Sequence, residues 1–138
     1  MGSSLENPRV NVRIKLAMLW VGIVFCFIYG DYFELYAPYK LRSMLEGRIG
    51  PLGDVTQTKL VGTSIMMTIP SLMAIFSVVS APALCRWINI FIASIFVAIT
   101  LLVIQGSWHF YVYFGVVEIL LLLTVIWYAW KWPRAVDA

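Results

Sequence analysis

The sequence predicts an all-α transmembrane antiparallel four-helix bundle with a short interfacial helix in its first loop, forming one domain over residues 1–138. Three observations predict it. Hydrophobic residues make up 62% of the chain and charged residues 12%, at a mean hydropathy of +0.88, whereas a water-soluble globule carries about 25% charged residues. Four segments, about Lys15–Tyr36, Val55–Val79, Trp87–Gln105 and Trp108–Trp130, reach the roughly 20 helical residues needed to cross the hydrocarbon core of a bilayer. Charges collect at the flanks of these segments, and short connections near Pro82 and Gly106 force neighbouring spans to run antiparallel.

The first span opens with Arg9, Arg13 and Lys15 ahead of the uncharged run Leu16–Gly30, the charge order of a secretory signal. The run leads into YGDYFELY and not into a small-residue cleavage site, so the span is expected to remain uncleaved. Gly2 is present, but Glu6 stands where a myristoylation signal needs Ser or Thr. In the first loop, KLRSMLEGRIGPLGD places Leu41, Met44, Leu45 and Ile49 at helical spacing among charges. That pattern predicts an interfacial helix, ended by Gly47 and Gly50, lying over the bundle mouth as a lid. The second span begins DVTQ, where Asp54 can cap the helix and Gln57 can reach back. Its Lys59 is expected to snorkel to the interface, and its Pro70 predicts a kink. In the third, Ser94 and Ala98 form a small-residue strip able to join helices within or between subunits, which allows a homo-oligomer.

Four spans put both termini on one side. That side carries Arg9, Arg13, Lys15, Arg86, Lys131 and Arg134, six basic residues against the four of the other side, Lys40, Arg42, Arg48 and Lys59. The majority predicts cytoplasmic termini. Aromatic residues support the boundaries, with Trp20, Trp87, Trp127, Trp130 and Trp132 at the inner interface and Tyr29, Tyr32, Tyr36, Tyr39 and Trp108 at the outer one. The net charge of +3 thus sets orientation in a lipid bilayer and does not indicate nucleic acid. Cys26 in span one and Cys85 at the inner end of span two offer neither a redox pair nor a disulfide framework. A single histidine excludes a bis-histidine haem within the chain. No cofactor is implied.

The charges left inside the spans are the candidate site. At 1.5 Å per residue Asp31 lies about 24 Å beyond Lys15 and Glu34 about 28 Å, in the outer third of the membrane or at its edge. A helix end with a tyrosine belt explains Glu34. Asp31 is succeeded by Tyr32, Phe33, Leu35 and Tyr36, so it is expected to face the bundle. Glu118 is the only charge between Phe110 and Trp130, about 15 Å in from Trp108 and so near the midplane. An isolated carboxylate there costs several kcal/mol and must be paired, hydrogen-bonded, hydrated or protonated. It is either functional or a protonated acid that fixes helix packing. Helical phase puts Glu118 on a face with Tyr111, Gly115 and Leu122, and opposite His109, the only histidine. His109 sits at the same mouth as Asp31, where an interfacial role is simpler than a metal site, so no metal is assigned.

The segments VRIKLAMLW, FCFIYGDYFELY, GPLGDVTQ, GTSIMMTIPSLM and FGVVEILLLLTVIWYAW resemble a family of small uncharacterised bacterial four-span membrane proteins over nearly the whole chain, from Val10 to Trp132. More remotely the chain is similar to the DoxX-like class. The resemblance implies a four-helix bundle in a bacterial inner membrane and supplies no activity. A small multidrug exporter would place its glutamate in mid-span one, and a membrane glutathione transferase would have an arginine-containing second helix; both features are missing. The expectation is a polar pocket in the outer half, formed by Asp31, Glu34, Tyr32, His109, Tyr111 and Glu118, that binds a small ligand or moves a cation or proton. The alternatives are an accessory protein acting by helix packing with partners, and a membrane enzyme acting on a lipid or quinone.

Overall fold

A computed structural model describes residues 5–133; Gly2 and Arg134 lie outside the described residues. Among the described residues there are five α-helices and one short 3-10 turn: α1 Val12–Glu34, α2 Lys40–Leu45, the 3-10 turn Gly50–Leu52, α3 Gln57–Val79, α4 Pro82–Val103 and α5 His109–Trp130. The long helices α1, α3, α4 and α5 are each long and apolar enough to cross a membrane. The chain is an all-α four-helix bundle and an integral membrane protein.

Local chemistry sets the helix ends. Asn11 caps α1, its side-chain oxygen accepting from the Arg13 backbone N–H at 2.9 Å, which starts the helix before the expected Lys15. Thr56 caps α3 by accepting from the Lys59 N–H at 3.2 Å, so Asp54 is not the cap. Lys59 turns back toward the loop, and its Nζ donates to the carbonyls of Leu52 at 2.7 Å and Asp54 at 2.9 Å. Those bonds anchor the first loop to the top of α3. Pro82 starts α4 five residues earlier than the expected Trp87, because a proline at the first helical position has no N–H to leave unpaired. Cys85 therefore belongs to α4 and not to span two. α3 runs as one helix through Pro70, which is buried. The predicted interfacial helix is present as α2, and Gly47 after it has φ +76°, a left-handed conformation that only glycine adopts freely.

Packing orders the spans around the bundle as α3, α1, α5, α4, with α3 and α4 meeting only sparingly. The core lies toward the end that carries the termini, the terminal end; the opposite end is the loop end. Leu16, Trp20 and Ile23 of α1, Met73 of α3, Cys85, Ala93 and Phe96 of α4, and Leu122, Val125 and Ala129 of α5 are its buried apolar members. Phe96 packs edge-on to Trp20, with ring centroids 6.4 Å apart, and 5.9 Å from Phe27.

Within this core is a polar knot. Trp20 does not join the aromatic belt that the sequence predicts for it: it is fully buried and its Nε1 donates to Asn89 Oδ1 at 2.7 Å. Asn89 Nδ2 donates to the Cys85 carbonyl at 2.8 Å and to Ser77 Oγ at 3.1 Å, and Ser77 Oγ donates to the Met73 carbonyl at 2.7 Å. These contacts join α1, α3 and α4 where no water can substitute. Ser94 and Ala98 are both exposed, so their strip joins no helices within the chain.

Replacing Asn89 with Leu removes the acceptor of the Trp20 N–H and the partner of Ser77. A loss of about 1–2 kcal/mol is expected, measured by unfolding in mixed detergent with far-ultraviolet circular dichroism as probe. Unchanged stability would mean that the knot does not hold the bundle together.

Candidate functional site

The buried stripe of α5 is Gly115, Glu118, Leu122, Val125 and Ala129, and the first of these determines how α4 lies on it. A Cβ on Gly115 would overlap the Ile104 side chain and press on Thr100 Cγ2 at 3.4 Å. Only a glycine lets α4 approach α5 this closely, one turn from Glu118. Gly30 of α1 faces the same helix under no such constraint: a Cβ there would meet Phe114 Cβ at 3.8 Å and Tyr111 Cε2 at 3.9 Å, ordinary van der Waals distances. The Tyr111 ring rests against α1 here, and its hydroxyl lies 3.5 Å from Asp31 Oδ1, the outer limit of a hydrogen bond.

Below Tyr111 is a cavity of about 90 Å³, bounded by residues of all four spans: Phe27, Met66, Met67, Phe96, Thr100, Tyr111 and Glu118 among them. It occurs where α3 and α4 fail to pack closely. Glu118 is 7% exposed, opens into this space, and makes no hydrogen bond or ion pair with another described side chain. Above Tyr111 is a second space of about 390 Å³ at the loop end, lined by Glu34, Lys40, Ser43, Trp108 and Tyr111. Tyr111 is the wall common to both. The order from the loop end inward is thus vestibule, tyrosine, cavity, Glu118, and then the packed layer of Phe96 and Trp20.

Glu34 is not a bare carboxylate, because Lys40 Nζ lies 2.6 Å from its Oε1. That pair fastens the start of α2 to the end of α1, over the vestibule. Both side chains are about one-third exposed, at 27% and 34%, so the ion pair positions α2 and adds little stability. Tyr32 and His109 are not brought to the site. Tyr32 faces outward with its hydroxyl 3.1 Å from that of Tyr36. His109 is exposed on the opposite side of α5 from Glu118 and lines neither space. Asp31 is exposed at the mouth, with Tyr111 as its polar contact. Among the described residues no three acid, histidine or cysteine side chains converge as a metal site.

Sequence reasoning missed Lys40, Thr100, Phe96 and Met67. Lys40 was legible in principle, because Pro38 breaks the helix and a turn brings residues six apart together. Which side chains of α3 and α4 face Glu118 depends on pairing between helices, which no single-helix pattern contains.

The chain belongs to the DUF6326 family, a family of unknown function, matched over residues 7–138. No curated protein matches it, and no solved structure does.

Gly115→Ala is expected to destabilise the bundle by about 1–3 kcal/mol through overpacking against Ile104. Adding Ile104→Ala should recover part of that loss, because the two sites share one contact. Additive losses in a thermal-unfolding cycle would show that α4 and α5 do not meet at this point.

Proposed function

We propose that this membrane protein takes up a proton or small cation at Glu118 from the loop end, past Asp31 and Tyr111, as one half of a transport path. The observation that carries the proposal is a buried acid halfway along α5, unpartnered among the described residues, that opens into its own cavity. A carboxyl group serving only to fix packing would be bonded to a neighbouring helix, and Glu118 has no such bond among the described residues.

Size favours the smallest cargo. About 90 Å³ holds a few waters, each needing some 10–15 Å³ by this measure. Drug-sized ligands occupy pockets of about 300 Å³ or more, which argues against a quinone or lipid substrate at Glu118. The packed layer of Phe96, Trp20 and Leu122 lies beyond it, so the path is a half-path, and the cargo crosses only if the spans rearrange. The loosely packed α3–α4 seam is where such movement costs least. Pro70 contributes there, because it leaves the carbonyl of Met66, a cavity residue, without its usual N–H partner.

For orientation we adopt cytoplasmic termini in a bacterial inner membrane. The described terminal end carries Arg9, Arg13, Lys15, Arg86 and Lys131, and Arg134 of the sequence makes six basic residues on that side, against the four of the loop end, Lys40, Arg42, Arg48 and Lys59. Such an excess of Lys and Arg favours the cytoplasmic side.

In proteoliposomes with a trapped pH or cation indicator, the wild-type protein should dissipate an imposed gradient faster than protein-free vesicles. Glu118→Gln is expected to lower that rate at least tenfold with helicity and elution volume unchanged, the loss typical of removing a proton-transfer group. Asp31→Asn should slow it less. A folded Glu118→Gln protein with wild-type flux, or a wild-type protein no faster than empty vesicles, would defeat the proposal.

A further inference from the structure

Another concavity is at the terminal end, remote from Glu118. It is an open groove of about 1070 Å³ between the extended residues before α1 and the last turn of α5. Arg9, Arg13, Lys15 and Lys131 line it together with Trp127 and Trp132, and no acid is among the described lining residues. None of these four cations forms an ion pair among the described residues.

The side chains are held along the walls with donors to spare. Lys131 Nζ lies 3.9 Å from the centroid of the Trp127 ring, and Lys15 Nζ lies 5.0 Å from that of Tyr128. Such contacts orient an ammonium group without consuming its hydrogen-bond donors. Arg13 donates one N–H to the Val78 carbonyl at 3.3 Å, which leaves the other guanidinium donors free to bind an oxyanion.

We infer that this groove binds the headgroup of an anionic phospholipid, its phosphate held by Arg9, Arg13 and Lys131. The chemistry is that of a phosphate cradle, and two features assign it to lipid instead of a soluble phosphate. The tryptophans put the groove at headgroup level. Ile14 at the level of the groove, and Met18 of α1 and Leu123 of α5 about a turn deeper, are exposed, which offers apolar surface for acyl chains. A cluster of cations at the interface, between spans, is the arrangement that selects anionic lipid. The site is independent of Glu118, because the packed core separates the two.

The test is native mass spectrometry of the full chain equilibrated with equimolar phosphatidylglycerol and phosphatidylcholine. The expected result is preferential retention of phosphatidylglycerol, weakened by salt and falling about fivefold for each cation removed in R9Q, R13Q and K131Q. R42Q/R48Q, at the loop end, should keep the wild-type ratio. Equal retention of the two lipids by the wild-type protein would overturn the inference whether or not the variants fold. An equal drop in R42Q/R48Q would also overturn it, as would displacement of the lipid by millimolar inorganic phosphate, which would indicate a site for a soluble anion.

Discussion

The structure depends on one buried hydrogen bond, from Trp20 Nε1 to Asn89 Oδ1 at 2.7 Å. Apolar side chains alone give helices in lipid little reason to associate, because lipid tails are as apolar as they are. Asn89 supplies a reason by also binding Ser77 and the Cys85 carbonyl, so a single side chain holds α1, α3 and α4 together. The knot lies at the terminal end. No such interhelical network exists in the loop half among the described residues, and the buried apolar core thins out in the same direction.

The cavity is a consequence of that asymmetry. α3 and α4 are joined at the terminal end by a connection of only two residues, Ser80 and Ala81, and by the knot, yet they pack little elsewhere. α5 and α1 close the other walls, and Gly115 lets α4 come close enough to do so. Glu118 is thereby left with space in place of a partner. Phe96, in contact with both Trp20 and Phe27, divides the two polar layers: the bonded one below and the open one above. Position along the bundle, more than residue type, separates the hydrogen-bonded polar groups from the one that lines a cavity.

Much of this is legible in the sequence. The charge-free runs define the spans, and the phase of α5 places Glu118 with Gly115 and Leu122 and away from His109, as the buried stripe does. Gly47 marks the end of the interfacial helix. The differences have a common cause. Trp20 reads as interfacial because indole N–H groups usually want water, and only a partner on another helix, Asn89, makes its burial tolerable. Glu34 and Asp31 look alike as two acids three residues apart, but a turn beyond Pro38 delivers Lys40 to Glu34 alone. Tyr32 and His109 share the depth of the site, and depth does not say which way a side chain points around its helix.

The central claim is a wet pocket in the loop half that ends on a dry layer. Hydroxyl-radical footprinting of the protein in bilayers tests it most directly, because radicals generated from water mark side chains that water touches. Tyr111 and Met67, which line the cavity, should be modified, while Trp20 and Met73, buried beyond Phe96, should be protected. Protection of Tyr111 and Met67 to the same degree as Trp20 would mean that the cavity is dry and Glu118 unreachable, and the account would fail.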